Sequence, residues 1–425
     1  MNRRLFVFTT VAAAVAAIIA TKPSKEGAPH DAYFSNINEQ LKGNSQSKPT
    51  LVIDLNQLDN NIAELEGLVN EQAAYRVVVK SLPSTDLLKH IMQKADTNKL
   101  MVFHQPFLSL ITQEMPASDV LLGKPMPIGA VRYFYKHTDF STGFAPTEQL
   151  QWLIDSEQRL KQYLALAKEF GVKMRINIEL DVGLHRGGLK SPEQLDGLLD
   201  IIAANSEFLS FSGFMGYDPH VVKLPPIIKK RADAYSESQA IYQSFIDRAA
   251  EHASNIDINS LCLNGAGSPT LQLHKGSTVC NDLSAGSCLV KPTDFDLDTL
   301  ASMQAASYIA TPVLKKEQGT RIPGLEGLTN VIPKWNPNRA QTFFIYGGAW
   351  MAKYESPAGI IPNGLFGKST NQQMVNGPAH LQLDVDDFIF LRPTQSEAVF
   401  LQFGDIQTVR DGKLANQWPV FSESA

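Results

Sequence analysis

Strand-type and helix-type patterns alternate along this chain from about residue 50 to about residue 290. Short strand-type runs such as 51–54, 76–79, 100–103 and 260–263 have the composition of buried strands. Segments with helix-type spacing of apolar residues lie between them, as at 55–70 and 87–94, and a long helix is predicted over 148–170. Repeated alternation predicts a parallel sheet, and roughly eight repeats over ~240 residues match the size of a closed (β/α)8 TIM barrel, an α/β fold.

The pattern changes after about residue 300. Short apolar strands, at 342–346, 388–391 and 398–403, are separated by turns rich in Gly, Pro, Asn and Asp, which favours a mostly-β domain. A chain of 425 residues is also too long for one small core. The sequence therefore predicts a signal segment at 1–20, a linker at 21–48, a barrel at 49–298 and a C-terminal β domain at 299–425.

The first twenty residues have the pattern of an export signal. Arg3 and Arg4 precede an apolar run from Leu5 to Ala20, and a polar segment follows. The run is shorter than the ~20 residues that a membrane-spanning helix needs. We therefore expect a periplasmic or secreted protein, whose contact with a membrane would be limited to an uncleaved leader.

Composition argues against two classes of function. The formal net charge of −5 gives no basic patch and hence no reason to expect a nucleic-acid partner. The three cysteines, Cys262, Cys280 and Cys288, are too few for a disulfide framework and lack zinc-ribbon spacing. We interpret them as structural, and a single bridge between Cys280 and Cys288 stays open if the chain is exported.

Lys80 is the first candidate catalytic residue, because it follows the strand-type run 76–79. Catalytic groups of TIM barrels lie at the carboxyl ends of the strands. A lysine that is partly removed from water there has a lowered pKa and can form a Schiff base. The alternative for Lys80 alone is a solvated lysine at the tip of a strand.

Other predicted strand ends carry groups that suit an anionic cofactor. Arg186 follows the strand at 173–180, and its guanidinium suits an oxygen anion; Tyr217 follows the next strand. Two glycine-rich loops come late in the repeat, where TIM barrels commonly bind phosphate through backbone N–H groups. The candidate residues in these loops are Gly265, Gly267, Ser268, Gly286 and Ser287. Together these groups indicate a phosphate-bearing aldehyde cofactor that is held as a Schiff base.

The chain resembles the barrel-type (fold type III) pyridoxal-phosphate enzymes, and among them the D-threonine aldolase and D-serine dehydratase group more than alanine racemase. The resemblance runs from about residue 51 to about residue 420. It depends on Val-Ile-Asp-Leu at 52–55, Val-Val-Lys at 78–80, Leu-Asp-Val-Gly-Leu-His-Arg at 180–186, Tyr217 with His220, the loop 265–270, Ala-Gly-Ser at 285–287 and Val-Arg-Asp-Gly-Lys at 409–413.

The resemblance implies pyridoxal 5′-phosphate as the cofactor, with Lys80 as its covalent attachment and as a proton carrier. It further implies that Arg186 contacts the phenolic oxygen of the cofactor and that Tyr217 lies near the ring nitrogen. The two glycine-rich loops would hold the phosphate. The implied activity is that of a lyase acting on small D-β-hydroxy-amino acids, by aldol cleavage or by dehydration. The implied assembly is a homodimer.

One segment departs from the pattern of this group. Relatives hold a divalent metal with a His and a Cys or Asp two residues apart, and the matching positions here are Gln395 and Glu397. Upstream, Asn376 matches a family histidine. We expect the zinc-type site to be absent, with a site for Mg2+ or Ca2+ as the alternative. A metal-free racemase and a non-catalytic cofactor-binding homologue also remain open.

Overall fold

A computed structural model describes residues 22–69, 73–252, 256–329 and 331–422. The expected signal segment at 1–20 lies outside the described residues. Within these ranges no helix combines the length and the apolar character that crossing a membrane requires.

The chain forms two compact units, and each draws on separate stretches of sequence, whereas the sequence predicted contiguous domains with a boundary near residue 298. The barrel unit comprises Ile53–Ser307, Gln395–Ile406 and the residues from Gln417 onward. The β unit comprises the residues up to Val52, Tyr308–Thr394 and Gln407–Asn416.

Eight parallel strands close into a barrel, which confirms the predicted TIM barrel. The strands are β2 (Ala74–Val78), β3 (Lys99–Val102), β4 (Asp119–Leu122), β5 (Leu150–Ile154), β6 (Met174–Leu180), β7 (Leu209–Gly216), β8 (Cys262–Gly265) and β9 (Asp282–Ala285). Helices in the connecting segments pack on the barrel. Strands enclosed by helices on one side and by barrel side chains on the other are buried on both faces, which explains their continuous apolar runs.

The helices of the barrel unit follow the strands in chain order. They are α2 (Leu55–Leu68), α3 (Thr85–Lys94), α4 (Gln105–Glu114), α5 (Ile128–His137), α6 (Pro146–Gln149), α7 (Glu157–Phe170), α8 (Gln194–Ala204), α9 (His220–Lys223), α10 (Arg231–His252) and α11 (Ser287–Val290).

Two predictions about the strands of the barrel were wrong: one strand belongs to the other sheet, and one barrel strand was predicted as part of a helix. The strand at 51–54 is β1 (Thr50–Asp54), and it pairs with strands of the other sheet rather than with the barrel. The single helix predicted over 148–170 is instead the barrel strand β5 followed by α7. All five residues of β5 are buried, so it has no polar face to distinguish it from a helix, and Ser156 caps the helix that follows.

The segment predicted as a linker contains the helix α1 (Ala32–Gly43). The carboxylate of Asp31 accepts a hydrogen bond from the backbone N–H of Phe34 at 2.8 Å, which caps the first turn. Phe34, Ile37 and Leu41 are buried on one face of the helix. Their spacing of three and four residues is the sequence signal for this helix, although the polar composition around it is typical of a linker.

The β unit is built mostly on short strands, as the sequence predicted. The strand predicted at 398–403 is wrong, because this segment contains a turn of 3-10 helix, Phe400–Gln402, and belongs to the barrel unit. The strands are β10 (Ser307–Gln318), β11 (Gln341–Tyr346), β12 (Ala352–Ser356), β13 (Ile361–Pro362), β14 (Gln372–Gly377), β15 (Phe388–Pro393), β16 (Ile406–Arg410) and β17 (Lys413–Trp418), with the short helix α12 (Ile332–Trp335). The order in the sheet is β13-β14-β11-β10-β1-β16-β17, and β15 pairs with β10 and β12. The pairs of β10 with β11 and β15, and of β14 with β11 and β13, are antiparallel.

A network of buried ion pairs fills the barrel at the amino ends of its strands. The Arg76 side chain is fully buried, and its guanidinium lies 2.8 Å from a carboxylate oxygen of Asp282 and 2.8 Å from one of Asp119. The ammonium of Lys99 lies 3.5 Å from Asp282. Burial alone would raise the pKa of Asp282, but the charge and hydrogen bonds of Arg76 outweigh burial and lower this pKa. The carboxylate of Asp282 therefore stays ionised inside the barrel.

The three cysteines are free thiols, so the structure contains no Cys280–Cys288 bridge. Burial raises the pKa of each thiol, which makes them poor nucleophiles. This agrees with the interpretation that they are structural.

Candidate active site

A cavity of about 490 Å³ lies within the barrel unit at the carboxyl ends of the strands. Seven of the eight residues predicted for the site line it, namely Lys80, Arg186, Tyr217, Gly267, Ser268, Gly286 and Ser287. Gly265 is the exception, because it is the last residue of β8. A Cβ atom on Gly265 would lie 2.4 Å from the sulfur of Cys280, so this glycine permits close packing behind the cavity.

Lys80 lies in a turn of 3-10 helix that follows β2 directly. Its ammonium is 4.4 Å from the centre of the Phe103 ring and 4.0 Å from a carboxylate oxygen of Glu397. Burial lowers the pKa of Lys80; Glu397 opposes this shift, and the charges of Arg186 and Lys124 reinforce it. A lowered pKa leaves more of the lysine as the neutral amine, which is the form that attacks an aldehyde.

The charges around Lys80 predict opposite shifts in two variants. Glu397→Gln removes the charge that raises the pKa of Lys80, so this pKa should fall. Arg186→Met removes a charge that lowers it, so the pKa should rise. The pH dependence of reductive alkylation of Lys80 by a small neutral aldehyde, quantified by peptide mass spectrometry, measures both shifts. Movement of the two midpoints in the same direction would contradict this account of the electrostatics.

Arg186 is presented by a turn that follows β6. The carboxylate of Asp181 accepts hydrogen bonds from the backbone N–H groups of Gly183, at 3.1 Å, and of His185, at 2.8 Å. The guanidinium of Arg186 then lies 4.9 Å from the centre of the Tyr217 ring, within the range of a cation–π contact. Burial raises the pKa of Tyr217 and Arg186 opposes the shift, so the phenol stays protonated at neutral pH.

The two glycine-rich loops are joined through Ser268. Its hydroxyl oxygen accepts hydrogen bonds from the backbone N–H groups of Gly286, at 3.2 Å, and of Cys288, at 3.1 Å. A Cβ atom on Gly286 would lie 2.8 Å from the carbonyl oxygen of Val78, so a side chain at this position would displace the loop from the turn that carries Lys80. Thr270, at the end of the first loop, donates to Asp218 at 2.6 Å.

The loops fit the phosphate of the implied cofactor. The backbone N–H groups of Gly267, Ser268 and Ser287 donate to no acceptor among the described residues. Free N–H groups on two adjacent loops form a site of the kind that binds phosphate. Lys80 lines the same cavity, so the residues present fit an aldehyde that carries a phosphate.

Glu397 lines this cavity. It accepts a hydrogen bond from the hydroxyl of Ser81 at 2.7 Å and lies 3.4 Å from the hydroxyl of Ser287. Gln395 is exposed, and its side-chain amide donates to Asp294 at 3.0 Å. Among the described residues no group of three or more His, Cys, Asp or Glu side chains has the arrangement of a metal site.

Sequence reasoning missed further charged groups in the cavity, among them Lys124, Asp155 and Glu179. Lys124 follows β4 and Glu179 lies near the end of β6, and both side chains line the cavity. Burial raises the pKa of Glu179, and Arg186 opposes this. The signal for Lys124 was available, because it has the same place after an apolar strand as Lys80. His220, which the sequence grouped with Tyr217, does not line the cavity; it lies 3.2 Å from the hydroxyl of Ser238.

Gly267→Ala should disturb the cofactor site. A Cβ atom there would lie 2.5 Å from the Tyr217 ring, so the ring or the loop must move, at a cost of about 1–3 kcal/mol. We expect weaker pyridoxal-phosphate binding together with a lower free energy of unfolding, measured by absorbance titration and by urea denaturation. The control is Gly197→Ala in α8, where no atom lies within 4 Å of the new Cβ; it should stabilise the protein by about 0.5–1 kcal/mol. Unchanged cofactor affinity in Gly267→Ala would refute the assignment.

Comparison with known proteins agrees with this geometry. Residues 53–293 match the family described as alanine racemase, N-terminal domain. The match spans more than half of the chain, and the protein therefore belongs to this family of pyridoxal-phosphate-dependent enzymes. No curated protein sequence matches the chain.

Several solved structures have a similar fold at low sequence identity. D-threonine aldolase from Filomicrobium marinum has a TM-score of 0.68 and 14% identity. Alanine racemase from Bacillus anthracis has a TM-score of 0.64 and 13% identity, and D-threo-3-hydroxyaspartate dehydratase from Delftia sp. HT23 has a TM-score of 0.60 and 16% identity. Each alignment covers 88% of this chain and 97% of the other. At these identities the likeness shows a shared fold.

Proposed function

We propose that the protein is a pyridoxal-phosphate-dependent lyase that acts on small D-β-hydroxy-amino acids, by aldol cleavage or by dehydration. The observation that carries this proposal is the cavity in which Lys80, with its lowered pKa, faces Glu397 at 4.0 Å beside two loops with free backbone N–H groups. The similar structures include an aldolase and a dehydratase, which supports the same class of reaction.

Different residues of the cavity have different roles in this reaction. Pyridoxal phosphate, when bound, withdraws electrons from a bond that breaks at the α-carbon of an amino acid. Lys80 would hold the cofactor, and its amine, when free, would carry a proton to or from the α-carbon of the substrate. The N–H groups of Gly267, Ser268 and Ser287 would bind the phosphate. Lys124, which forms no ion pair with the described residues, supplies positive charge for the substrate carboxylate.

One candidate for the second base of a racemase is excluded by its position in the cavity. A racemase that uses two bases needs them on opposite sides of one carbon, and each must approach to within about 3 Å, so the bases lie roughly 6 Å apart. Glu397 lies 4.0 Å from the amine of Lys80, too close for the pair to flank a carbon. Glu397 is therefore not the second base of a racemase.

Incubation of the cofactor-loaded protein with single amino acids tests the proposal. D-threonine and D-serine should be consumed, with formation of glycine and aldehyde or of keto acid and ammonia. D-alanine should keep its configuration, and the L-isomers should be inert. Racemisation of alanine would support the racemase instead. Absence of any turnover with the D- and L-amino acids would support a non-catalytic cofactor-binding protein.

We also propose export and dimerisation. The pattern of residues 1–20 supports a periplasmic or secreted location, and membership in a family of typically dimeric enzymes supports a homodimer. Cell fractionation with the full-length chain tests the first point. Light scattering after size-exclusion chromatography tests the second, and a monomeric mass at working concentration would overturn it.

A further inference from the structure

Glu397 contributes a carboxylate to the cavity, although Lys80 and the two glycine-rich loops can hold the cofactor without it. Its side chain is 30% exposed and comes from a segment far along the chain, yet it approaches the amine of Lys80 to 4.0 Å. This distance is longer than that of a charge-assisted hydrogen bond, so the carboxylate of Glu397 can still accept a hydrogen bond from another group. Once Lys80 is covalently engaged, its ammonium no longer competes with other groups for this carboxylate.

A chain of hydroxyl groups fixes the position of this carboxylate. Ser287 donates to Ser81 at 2.9 Å, and Ser81 donates to one oxygen of Glu397 at 2.7 Å. The second oxygen has one long contact, 3.4 Å from the hydroxyl of Ser396. A carboxylate offers about four lone-pair sites, so acceptor capacity remains on the side of the second oxygen.

The hydroxyl and the backbone N–H of Ser287 have different roles. Its hydroxyl is engaged by Ser81 and Glu397, whereas its backbone N–H has no acceptor among the described residues. The N–H is thus left for the phosphate and the hydroxyl serves to hold Glu397. The carboxylate is therefore oriented by the loop that binds the cofactor, and its position should be reproducible from one turnover to the next.

We infer that Glu397 is the residue that recognises the β-hydroxyl of the substrate, by accepting its hydrogen bond. The inference rests on the proposed lyase function and adds a specificity-determining residue to it. A hydroxyl is a donor that a carboxylate acceptor binds through a charge-assisted hydrogen bond. An amino acid without the hydroxyl cannot form this hydrogen bond, so it binds less favourably.

The test compares Glu397→Gln and Glu397→Ala with the wild type, all loaded with pyridoxal phosphate. The first readout is kcat/KM for D-threonine in the presence and absence of a chelator. The second is equilibrium binding of D-2-aminobutyrate, which has the same carbon skeleton without the hydroxyl, followed through the cofactor absorbance. Asp294→Asn is the matched control, because it removes a carboxylate that touches the same segment through Gln395 but does not line the cavity.

We expect Glu397→Ala to lower kcat/KM for D-threonine by about 10- to 100-fold, as for loss of a hydrogen bond to a charged group. D-2-aminobutyrate should bind the variants at least as tightly as it binds the wild type. Asp294→Asn should match the wild type, and the chelator should have no effect. Wild-type turnover with unchanged kcat/KM in both Glu397 variants would overturn the inference and leave the lyase intact.

Two other outcomes distinguish failure of the inference from failure of the proposed lyase function. Equal loss of D-threonine turnover and of D-2-aminobutyrate binding would mean that Glu397 only maintains the loop, which also overturns the inference. A wild type that leaves every β-hydroxy-amino acid untouched would refute the proposed lyase, and with it the premise of the inference.

Discussion

Lys80→Ala is expected to lower lyase turnover by about 10⁴-fold or more, since it removes both the covalent attachment of the cofactor and a proton carrier worth about 10²–10⁴-fold. The variant should also lose the visible absorbance of the bound cofactor. Activity on D-threonine and an absorbance scan after gel filtration measure the two effects.

The fold should survive this change, because Lys80 lies in the turn after β2 and makes no buried ion pair of good geometry. The far-ultraviolet circular dichroism of Lys80→Ala should therefore match that of the wild type. Lys161→Ala, in the exposed face of α7, is the control that should keep both activity and absorbance. Retention of a borohydride-stable cofactor adduct in Lys80→Ala would show that another amine is the attachment site.

Arg76→Met is expected to have the largest effect on stability, a loss of about 3–5 kcal/mol in the free energy of unfolding. The substitution leaves the carboxylates of Asp282 and Asp119 inside the barrel without the guanidinium that lies 2.8 Å from each. The ammonium of Lys99, 3.5 Å from Asp282, compensates part of the lost charge. Urea denaturation followed by tryptophan fluorescence measures the effect, since Trp152 is buried in the barrel.

The pH dependence of this variant follows from the pKa of Asp282, which is lowered in the folded protein. A carboxylate of this kind stabilises the fold above its unfolded-state pKa, and the contribution is lost as the pH falls through the lowered value. The stability difference between wild type and Arg76→Met should therefore shrink in acid. Arg132→Met is the control, because it breaks an exposed pair with Glu169 and exposed pairs contribute little. Equal stability of both variants would contradict the role of the buried network.

The barrel could be predicted because its strands are short, apolar and regularly spaced, and because helices with a clear periodicity separate them. The strand β5 could not, since all of its residues are buried and a buried run does not show a period of two. The strand β1 was recognised as a strand but assigned to the wrong sheet. Its partners β10 and β16 lie far along the chain, and sequence patterns carry no information on such distant pairing.

The residues of the site also include some that the sequence could predict and one that it could not. Lys80, Arg186, Tyr217 and the glycine-rich loops all follow strands, so the rule that barrel sites lie at the carboxyl ends of strands finds them. Glu397 does not follow a barrel strand. Its hydrogen bond to Ser81 joins residues 316 positions apart, and only the folded chain shows that its carboxylate enters the same cavity.

Reduction of the wild-type protein with borohydride after loading with pyridoxal phosphate, followed by peptide mass spectrometry, tests the central claim most directly. The account predicts one reduced cofactor group, on the peptide that contains Lys80. An unmodified Lys80, or a group attached to a different lysine, would contradict it.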